Sequence, residues 1–471
     1  MIAGRSPLLC GLTGLLAVVL AAPPAPAAEK KVIAYLGLQA PAAVDAEPVL
    51  RAAIERQLRR AVEMKRFDYI AVAGGTEPGL EPFLERYRDL LLERESADRP
   101  ATAVQPVWAD ELERIAGSAF LYQLTLTAFD VALAHEPDEP FPDARVTLSG
   151  RADFYRLDLS NPLAPQAEHV ARAEVVTPET AEGIIGDQER LAIEILPLVE
   201  RCAGRLGAEL ALRIRRLPQF ALRSPVAAAG SGRLRLELGR RLGVTLGDTF
   251  EIRAPGGQPP SPGWARVIRV EPEHAVAALV TRPEGWQPGA EATAVEYAMK
   301  GVGLSLAPVA EWTFSELLGR NQTYVYPGLA LAAMTDIGSS VAVADFWLRV
   351  DADYLFLQRP PGYDFEVGLG HVGLGFLKRW IFGRWGLRTG AGVGMAYYVY
   401  PDDEVATDED GVGAHLSFGG DLILGLDLFI NRWLSLVLDV RGRYFGNPLD
   451  WLPDAAAEAG LQARLAVLFS F

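Results

Sequence analysis

The pattern of hydrophobicity between residues 300 and 471 constrains the fold more than any other feature of the sequence. Eight segments of roughly 10 to 15 residues alternate there between apolar and polar side chains, with turn or loop residues between them. The connections from the second, fourth and sixth segments are short, and the others are mostly longer. This arrangement predicts an up-and-down antiparallel barrel. The predicted strands lie near 302–314, 324–336, 341–356, 364–377, 386–400, 412–429, 433–445 and 459–471.

The alternation also indicates which side of the barrel meets lipid. In the last segment, Leu461, Leu465 and Phe469 share one face, while Gln462 and Arg464 share the other. The third, sixth and seventh segments likewise keep their charged residues on one face. Because apolar packing does not interrupt the charged face, we expect a lipid-facing exterior and a polar interior. A water-soluble β-sandwich is the alternative.

Long charged side chains of both signs are predicted to fill this interior, because eight strands leave only enough room for side chains. An unpaired buried charge costs several kcal/mol, so we expect opposite charges to pair and to close the lumen to solutes. The predicted interior charge network consists of Glu311, Asp345, Arg349, Asp351, Asp353, Arg388, Asp421, Asp427, Asp439, Arg441, Arg443 and Arg464.

The fourth segment fits the alternation less well. Phe365, Val367 and Leu369 begin on one face, but apolar residues from Val372 onward continue on the other. This change of phase predicts a β-bulge near Gly370-His371.

Aromatic residues gather at both ends of the predicted strands, as expected at the two lipid–water interfaces. Those near the short turns are Trp380, Phe382, Trp385, Phe429 and Trp433. Those near the longer loops are Trp312, Phe314, Tyr324, Tyr354, Tyr397, Tyr400, Tyr444 and Trp451.

Residues 1–27 have the features of a secretory signal peptide. Arg5 precedes an apolar stretch from Leu8 to Ala22, and cleavage is expected after Ala27, with Ala28 as the alternative. The mature chain should therefore leave the cytoplasm. Its lone cysteine would be Cys202, which excludes an internal disulfide.

Two further domains are predicted between the leader and the barrel. Residues 28–217 mix strands and helices, whereas 218–299 contain short strands separated by glycine and proline, which predicts a small all-β module. A helix after Pro197 should place Cys202 in the core. The other predicted elements of the α+β domain are strands at 31–38, 69–74, 120–134, 144–159 and near 170–176, a helix after Asp45, and helices at 80–95 and 108–116. The fold class is therefore multidomain, with an α+β domain, a small all-β module and a carboxyl-terminal eight-stranded antiparallel transmembrane β-barrel.

Several segments resemble known families. The final residues LQARLAVLFSF resemble the closing strand of bacterial outer-membrane barrels, and 300–471 is similar to the OmpA/OmpX-like class. This resemblance implies that Phe469 and Phe471 belong to the signal that the barrel assembly machinery reads. VIAYLGL, a helix and paired long strands before a helix resemble the periplasmic domains of the TolB amino-terminal, curli-export and flagellar-ring assembly families. GRRLGVTLGDTFEI is similar to the small β module that ends the flagellar-ring family.

Candidate sites for chemistry are few. The G-x-G-x-x-G sequence at 368–373 lies inside a strand with no helix after it, which favours barrel packing over a dinucleotide site. The five histidines lack metal-ligand spacing, and we predict no cofactor. The acidic loop 402–410 could bind calcium or simply be solvated. His415 and Ser417 share a face, but it is the predicted interior, where an acyl chain cannot enter.

These features predict a non-enzymatic outer-membrane protein whose barrel anchors periplasmic domains for envelope assembly, trafficking or protein interaction. The alternative is a transport or export component, or a barrel enzyme acting on lipid. The expected partners are outer-membrane lipid, the barrel assembly machinery and an unidentified periplasmic protein. With 45 basic and 60 acidic residues, the net charge of −15 argues against nucleic acid.

Overall fold

The computed structural model describes part of the chain. The described residues are 30–71, 79–96, 120–134, 141–158, 161, 164–186, 190–228, 232–254, 262–287, 290–317, 320–358, 367–401, 412–446 and 458–471. The predicted signal peptide, the predicted helix at 108–116 and the acidic loop 402–410 lie outside the described residues.

The amino-terminal domain is a mixed five-stranded sheet covered by helices. The strand order is β2-β1-β3-β4-β5, with β1 parallel to both neighbours and β3, β4 and β5 antiparallel. Its strands are β1 (Lys31–Gln39), β2 (Phe67–Ala71), β3 (Phe120–Ala134), β4 (Asp143–Asp158) and β5 (Gln166–Ile184). Its helices are α1 (Ala42–Asp45), α2 (Pro48–Val62), α3 (Leu80–Ser96), α4 (Leu191–Glu194) and α5 (Leu196–Arg216).

Strand β5 is much longer than the predicted strand near 170–176. It pairs with β4 from Asp158↔Gln166 to Asp143↔Ile184, with two register shifts. Outside its central part, most β5 side chains are polar and exposed, so the burial pattern that reveals a strand is absent there. The strand is extended by backbone hydrogen bonds to β4, and side-chain hydrophobicity gives no signal for such bonds.

Helices α2 and α5 pack tightly against each other, and α5 buries the lone thiol of the described chain against the sheet. A Cβ on Gly207 of α5 would lie 2.7 Å from the Cβ of Ala61 on α2. Cys202 is fully buried in the core, as predicted, and its Sγ donates to the Glu179 carbonyl at 2.9 Å. Burial raises the pKa of this thiol to about 11.

The second unit, the six-stranded module, is a closed barrel. Its strand order is β10-β7-β6-β11-β8-β9, and closure removes the free sheet edges that a small open sheet would expose. Its strands are β6 (Arg223–Ala228), β7 (Arg233–Leu236), β8 (Thr249–Arg253), β9 (Gly263–Val270), β10 (Ala275–Thr281) and β11 (Thr293–Tyr297).

The third unit is a closed barrel of eight strands in sequential order, each antiparallel to its neighbours. Together with the mixed sheet and the module, it confirms the multidomain fold class. The strands are β12 (Val302–Leu317), β13 (Arg320–Asp336), β14 (Phe346–Gln358), β15 (Val367–Phe382), β16 (Trp385–Pro401), β17 (Val412–Phe429), β18 (Leu434–Gly446) and β19 (Glu458–Ser470).

Two connections differ from the predicted ones. The short helix α6 (Gly338–Val341) and a turn precede β14, which therefore begins at Phe346 rather than near 341. The connection from β12 to β13 is only two residues, because the strands pair as far as Leu317↔Arg320. The connections at 337–345, 383–384 and 430–433 share one end of the barrel with both of its chain ends; we call this the turn end and the opposite end the loop end.

The bulge predicted near Gly370-His371 lies on the neighbouring strand instead. Strand β15 pairs without a shift to β16 along its whole length, but its pairing with β14 shifts between Leu355 and Gln358 of β14, opposite Leu369 and Val367. The apparent change of phase arises because Leu369 is a buried apolar residue on the inward face, beside His371. Near the loop end, apolar side chains also face the interior. Hydrophobicity alone therefore does not show which face of the strand points inward there.

No helix in the part of the chain that the structure describes combines the length and apolar character needed to cross a membrane.

The burial of Cys202 predicts that its thiol is unreactive in the folded protein. Because its raised pKa keeps the thiol protonated at neutral pH and its Sγ is inaccessible, maleimide should label the native mature chain very slowly and the urea-unfolded chain rapidly. Mass spectrometry of the labelled chain measures both. Rapid labelling of the native protein at Cys202 would contradict this packing.

Candidate functional site

The interior of the eight-stranded barrel holds the largest group of buried charges in the described chain. The inward faces carry Glu311, Asp336, Asp351, Asp353, Asp421, Asp427 and Asp439, and against them Arg349, Arg379, Arg388, Arg441, Arg443 and Arg464. Eleven of the twelve residues proposed from the sequence lie on these inward faces, and the twelfth, Asp345, is buried in the turn that precedes β14. Each of these carboxylates lies within 4.0 Å of a guanidinium nitrogen.

The middle of the barrel is organised by Arg441, which is almost fully buried. Its guanidinium pairs with Asp351 and lies 3.1 Å from Asp421 Oδ2. Arg349 approaches the same two carboxylates from the opposite side, with its Nη2 2.9 Å from Asp421 Oδ1 and its Nε 3.2 Å from Asp351 Oδ1. Four side chains from β14, β17 and β18 thus cross-link the wall through the lumen.

Toward the loop end, Asp353 is the centre of a second cluster. Arg443 and Arg464 both pair with its carboxylate. Arg443 also reaches Glu311 Oε2 at 2.9 Å, and Gln462 Nε2 donates to the same oxygen at 2.7 Å. This cluster joins strands that lie far apart in the sequence.

Toward the turn end, Arg388 donates from Nε to Asp439 at 2.6 Å and lies 3.4 Å from Asp427. Arg379 lies 3.0 Å from Asp345 and 3.8 Å from Asp427. The three clusters together place pairs of opposite charges along the described length of the lumen.

Sequence reasoning missed His371, Arg379 and Gln462 as members of the network. Both His371 and Arg379 are inward residues of β15. The expected bulge near Gly370-His371 implied a change of face in this strand, so the sequence did not indicate that these two side chains point inward. A regular alternation counted back from Trp380, which faces outward, would have identified both. Gln462 shares the inward face with Arg464, but its neutral side chain gave no charge signal.

Glycines on the inward faces make room for the arginines. A Cβ on Gly392 of β16 would lie 2.7 Å from Arg349 Nη2 and 2.7 Å from Asp421 Oδ1, and a Cβ on Gly425 would collide with Asp439. Gly373, from the G-x-G-x-x-G sequence, faces Asp351 in the same way. These glycines therefore serve the packing of charge in the barrel.

One cluster has a composition that could suit a metal ion. Ligand atoms of Glu311, Asp353 and His371 all lie within 4.8 Å of one another. However, Arg443 Nη1 lies 2.9 Å from Glu311 Oε2 and 2.7 Å from His371 Nδ1. A divalent cation would have to displace this guanidinium, because the two positive charges would repel each other at such a distance. The residues do not fit a metal site in this arrangement.

The six-stranded module contributes a further arginine to the turn end of the barrel. Arg266 on β9 pairs with Asp336, and its Nε lies 2.6 Å from Asp345 Oδ1. Its guanidinium also lies 5.3 Å from the centre of the Trp347 ring. Trp264, two residues earlier, packs edge-on against Phe429 at 5.6 Å. The module therefore covers the turn end, and Arg266 extends the charge network beyond the barrel.

This contact corrects the expected position of Phe429. The sequence placed it in the lipid-facing aromatic girdle, but the side chain faces inward and is buried against the module. Trp380, Phe382, Trp385 and Trp433 do face outward, with at least 40% of each exposed.

A buried carboxylate joins the amino-terminal domain to the module. Glu296 on β11 accepts from Arg66 at 2.5 and 3.0 Å and from Arg215 Nε at 2.7 Å. Arg215 also binds Asp248 at 2.7 Å. Burial alone raises the pKa of Glu296, but the Arg66 hydrogen bonds and the Arg215 charge outweigh it and hold the pKa below its usual range. The carboxylate is therefore ionised and tied to both units.

The remaining candidates occupy different places. Phe469 faces outward and stacks on Trp433 at 6.3 Å, while Phe471 pairs with Val302 through backbone hydrogen bonds at the turn end. Their role as an assembly signal stays a prediction. Ser417 is buried on the inward face of β17, and the side chain of His415 lies outside the described residues.

Comparisons with known proteins found similarity among solved structures. No protein-family model matches the chain, and no curated protein does. Neisserial surface protein A is 13% identical with a TM-score of 0.29, over 37% of this chain and 100% of that one. Ail of Yersinia pestis is 13% identical with a TM-score of 0.25, over 37% and 100%. OprG of Pseudomonas aeruginosa is 12% identical with a TM-score of 0.24, over 37% and 97%.

The closed barrel of eight sequential strands confirms the architecture that the OmpA/OmpX-like resemblance implied. The resemblance of the two preceding units to the TolB amino-terminal, curli-export and flagellar-ring families stays a prediction.

Replacing Arg441 by Leu should destabilise the barrel by roughly 3 to 5 kcal/mol, because Asp351 and Asp421 would lose a buried partner. Urea unfolding of the full chain in detergent micelles measures the change. The matched control is Arg269→Leu, which removes an arginine that is 72% exposed and should cost at most about 1 kcal/mol. Equal effects from the two variants would contradict the importance of the buried pairs.

Replacing Gly392 by Ala should cost about 1–3 kcal/mol, because the new methyl group would press against Arg349 and Asp421. Gly442→Ala is the control, since its Cβ would meet nothing within 4 Å. Heat-induced unfolding followed by gel migration compares the two variants. A Gly392→Ala barrel as stable as the control would show that the interior has free space.

Proposed function

We propose that the chain is an outer-membrane protein whose eight-stranded barrel anchors, without catalysis, the amino-terminal domain and the six-stranded module in the periplasm. The anchored units would serve envelope assembly, trafficking or protein interaction. The observation that carries the proposal is the polarity of the barrel: charges inside, apolar side chains outside, and a folded module fixed to its turn end.

The outward faces support a lipid environment. Leu422 is 69% exposed, Val393 68% and Leu465 58%, and apolar side chains continue around the wall on every strand whose outward residues are described. Exposed apolar surface on this scale is costly in water and marks a membrane or protein contact. A closed wall with all backbone groups paired is the β-structure that a bilayer accepts.

The joints between the units support an anchoring role. Arg266 ties the module to the barrel, and Glu296 ties the amino-terminal domain to the module, in both cases through buried ion pairs. Outer-membrane barrels place their short turns in the periplasm, and the module is attached at that end. A partner bound to the amino-terminal domain would thus be held at a fixed distance from the membrane.

The interior supports a non-catalytic barrel. Each carboxylate of the described network is bound to a guanidinium, so none is available as a general base without breaking a buried ion pair. The same filling of the lumen argues against a pore.

The location is tested by expressing the full chain in a Gram-negative host. We expect the mature protein in the outer-membrane fraction, with a change in gel migration on heating, because a stable barrel resists detergent until heated.

Deleting Phe471 should lower the amount of assembled barrel if the terminal aromatic is read by the assembly machinery. Recovery of the intact protein from the water-soluble periplasmic fraction would overturn the proposal.

The alternative functions have their own measurements. A large, stable conductance of the purified full chain in planar bilayers would favour a transport or export component. A change in the mass of lipid A in cells that express the protein would favour a barrel enzyme. We expect neither, because paired charges fill the interior.

A further inference from the structure

A crevice opens on the outside of the molecule where the six-stranded module meets the turn end of the barrel. It encloses about 360 Å³. Its walls come from β8, β9 and the end of β10 on the module side, and from the β15–β16 and β17–β18 turns on the barrel side. We call it the junction crevice.

The junction crevice has an excess of positive charge in an otherwise acidic protein. Arg282 and Arg384 line it, and neither guanidinium has a hydrogen bond or ion pair within the described residues. Arg432 also lines it, 3.9 Å from the centre of the Tyr297 ring and 3.3 Å from Glu251 Oε2. Glu251 is the acidic residue of the lining, and it is already shared with Arg253 at 2.9 Å. The two unpaired guanidiniums therefore remain available to an anion.

Two buried polar groups in the same walls lack partners. Trp264 and Thr249 are only 8% and 3% exposed. Their polar atoms, Trp264 Nε1 and Thr249 Oγ1, have no hydrogen bond within the described structure. A buried donor without an acceptor costs free energy. Both residues line the crevice, so a small movement of their side chains would offer these donors to an oxygen-rich ligand there.

The barrel side of the crevice also carries apolar side chains that continue onto the outward-facing wall. Ile430 and Trp433 line it and are 44% and 47% exposed. Trp433 stacks on Phe469, which itself faces outward. A ligand that fills the crevice therefore meets Arg282 on the module side, and Arg384 beside the apolar Ile430 and Trp433 on the barrel side.

We propose that the junction crevice binds the phosphate headgroup of an anionic glycerophospholipid from the periplasmic leaflet, with the acyl chains lying along the wall beside Trp433. Arg282 and Arg384 contact the phosphate, and Trp264 and Thr249 donate to headgroup oxygens after small movements of their side chains. The inference rests on the proposed outer-membrane location. A bound lipid would seal the joint between module and barrel and fix the height of the module at the membrane surface.

The test uses the full chain in phosphatidylcholine nanodiscs that contain a minor fraction of phosphatidylglycerol, with bound lipid counted by native mass spectrometry. The double variant Arg282→Gln/Arg384→Gln should bind phosphatidylglycerol about tenfold more weakly, because it loses two charge-assisted contacts. The matched control is Arg190→Gln/Arg233→Gln, which removes two exposed arginines outside the crevice. It should leave binding unchanged. Heat-modifiable gel migration establishes that each variant is folded.

A second arm separates the lipid from a free anion. Trp433→Ala should weaken phosphatidylglycerol binding but not the binding of inorganic phosphate, because only the lipid contacts the apolar wall. If inorganic phosphate competes as well as the lipid does, the crevice is a free-anion site and the lipid proposal is overturned. Equal phosphatidylglycerol binding by the wild type and the double variant also overturns it.

The two proposals fail in different ways. A chain that does not insert into nanodiscs overturns the outer-membrane function and this site with it. A chain that inserts but carries no phosphatidylglycerol in excess of the bulk lipid overturns the site alone.

Discussion

The mutual neutralisation of carboxylates and guanidiniums inside the eight-stranded barrel is the interaction on which the rest of the structure depends. Transfer of a single charge out of water is costly, and a barrel with lipid outside has no other place for its polar side chains. The barrel's six buried guanidiniums face its inward carboxylates, and Arg266 of the module supplies a further guanidinium to Asp336 and Asp345 at the turn end. The unit that covers the turn end therefore contributes to the neutralisation of the barrel's buried carboxylates.

The same kind of contact connects all three units. Glu296 is held by Arg66 and Arg215 of the amino-terminal domain, and Arg266 is held by Asp336 and Asp345 of the barrel. Buried ion pairs are directional, and removing one partner leaves an uncompensated charge, so they resist sliding more than apolar contacts do. The arrangement suits a protein that presents a domain at a fixed position relative to a membrane, and the junction crevice lies where that position is set.

The strand number, the strand order and the outward-facing apolar sides of the barrel were predictable because side chains alternate with a period of two along a strand. The alternation located Arg441 and Asp351 inside and Leu422 outside without any tertiary information. It failed at Leu369, an inward apolar residue that suggested a change of face within β15. As a result, His371 and Arg379 were not assigned to the interior. It also failed for Phe429, which looked like a girdle residue because nothing local reveals that another domain packs against it.

The sequence alone determined what is local or periodic: the eight alternating segments, the amphipathic helix that buries Cys202, and the inward placement of eleven of the twelve proposed network residues. Tertiary structure decided which charges meet. Arg443 reaches Glu311 across 132 positions of sequence, and Arg266 reaches the barrel from another domain. Such pairs depend on barrel closure, strand register and domain docking, which arise from many contacts distant in sequence. For that reason the sequence predicts which residues form the charge network. It does not predict which residues pair with each other or that a crevice forms between the module and the barrel.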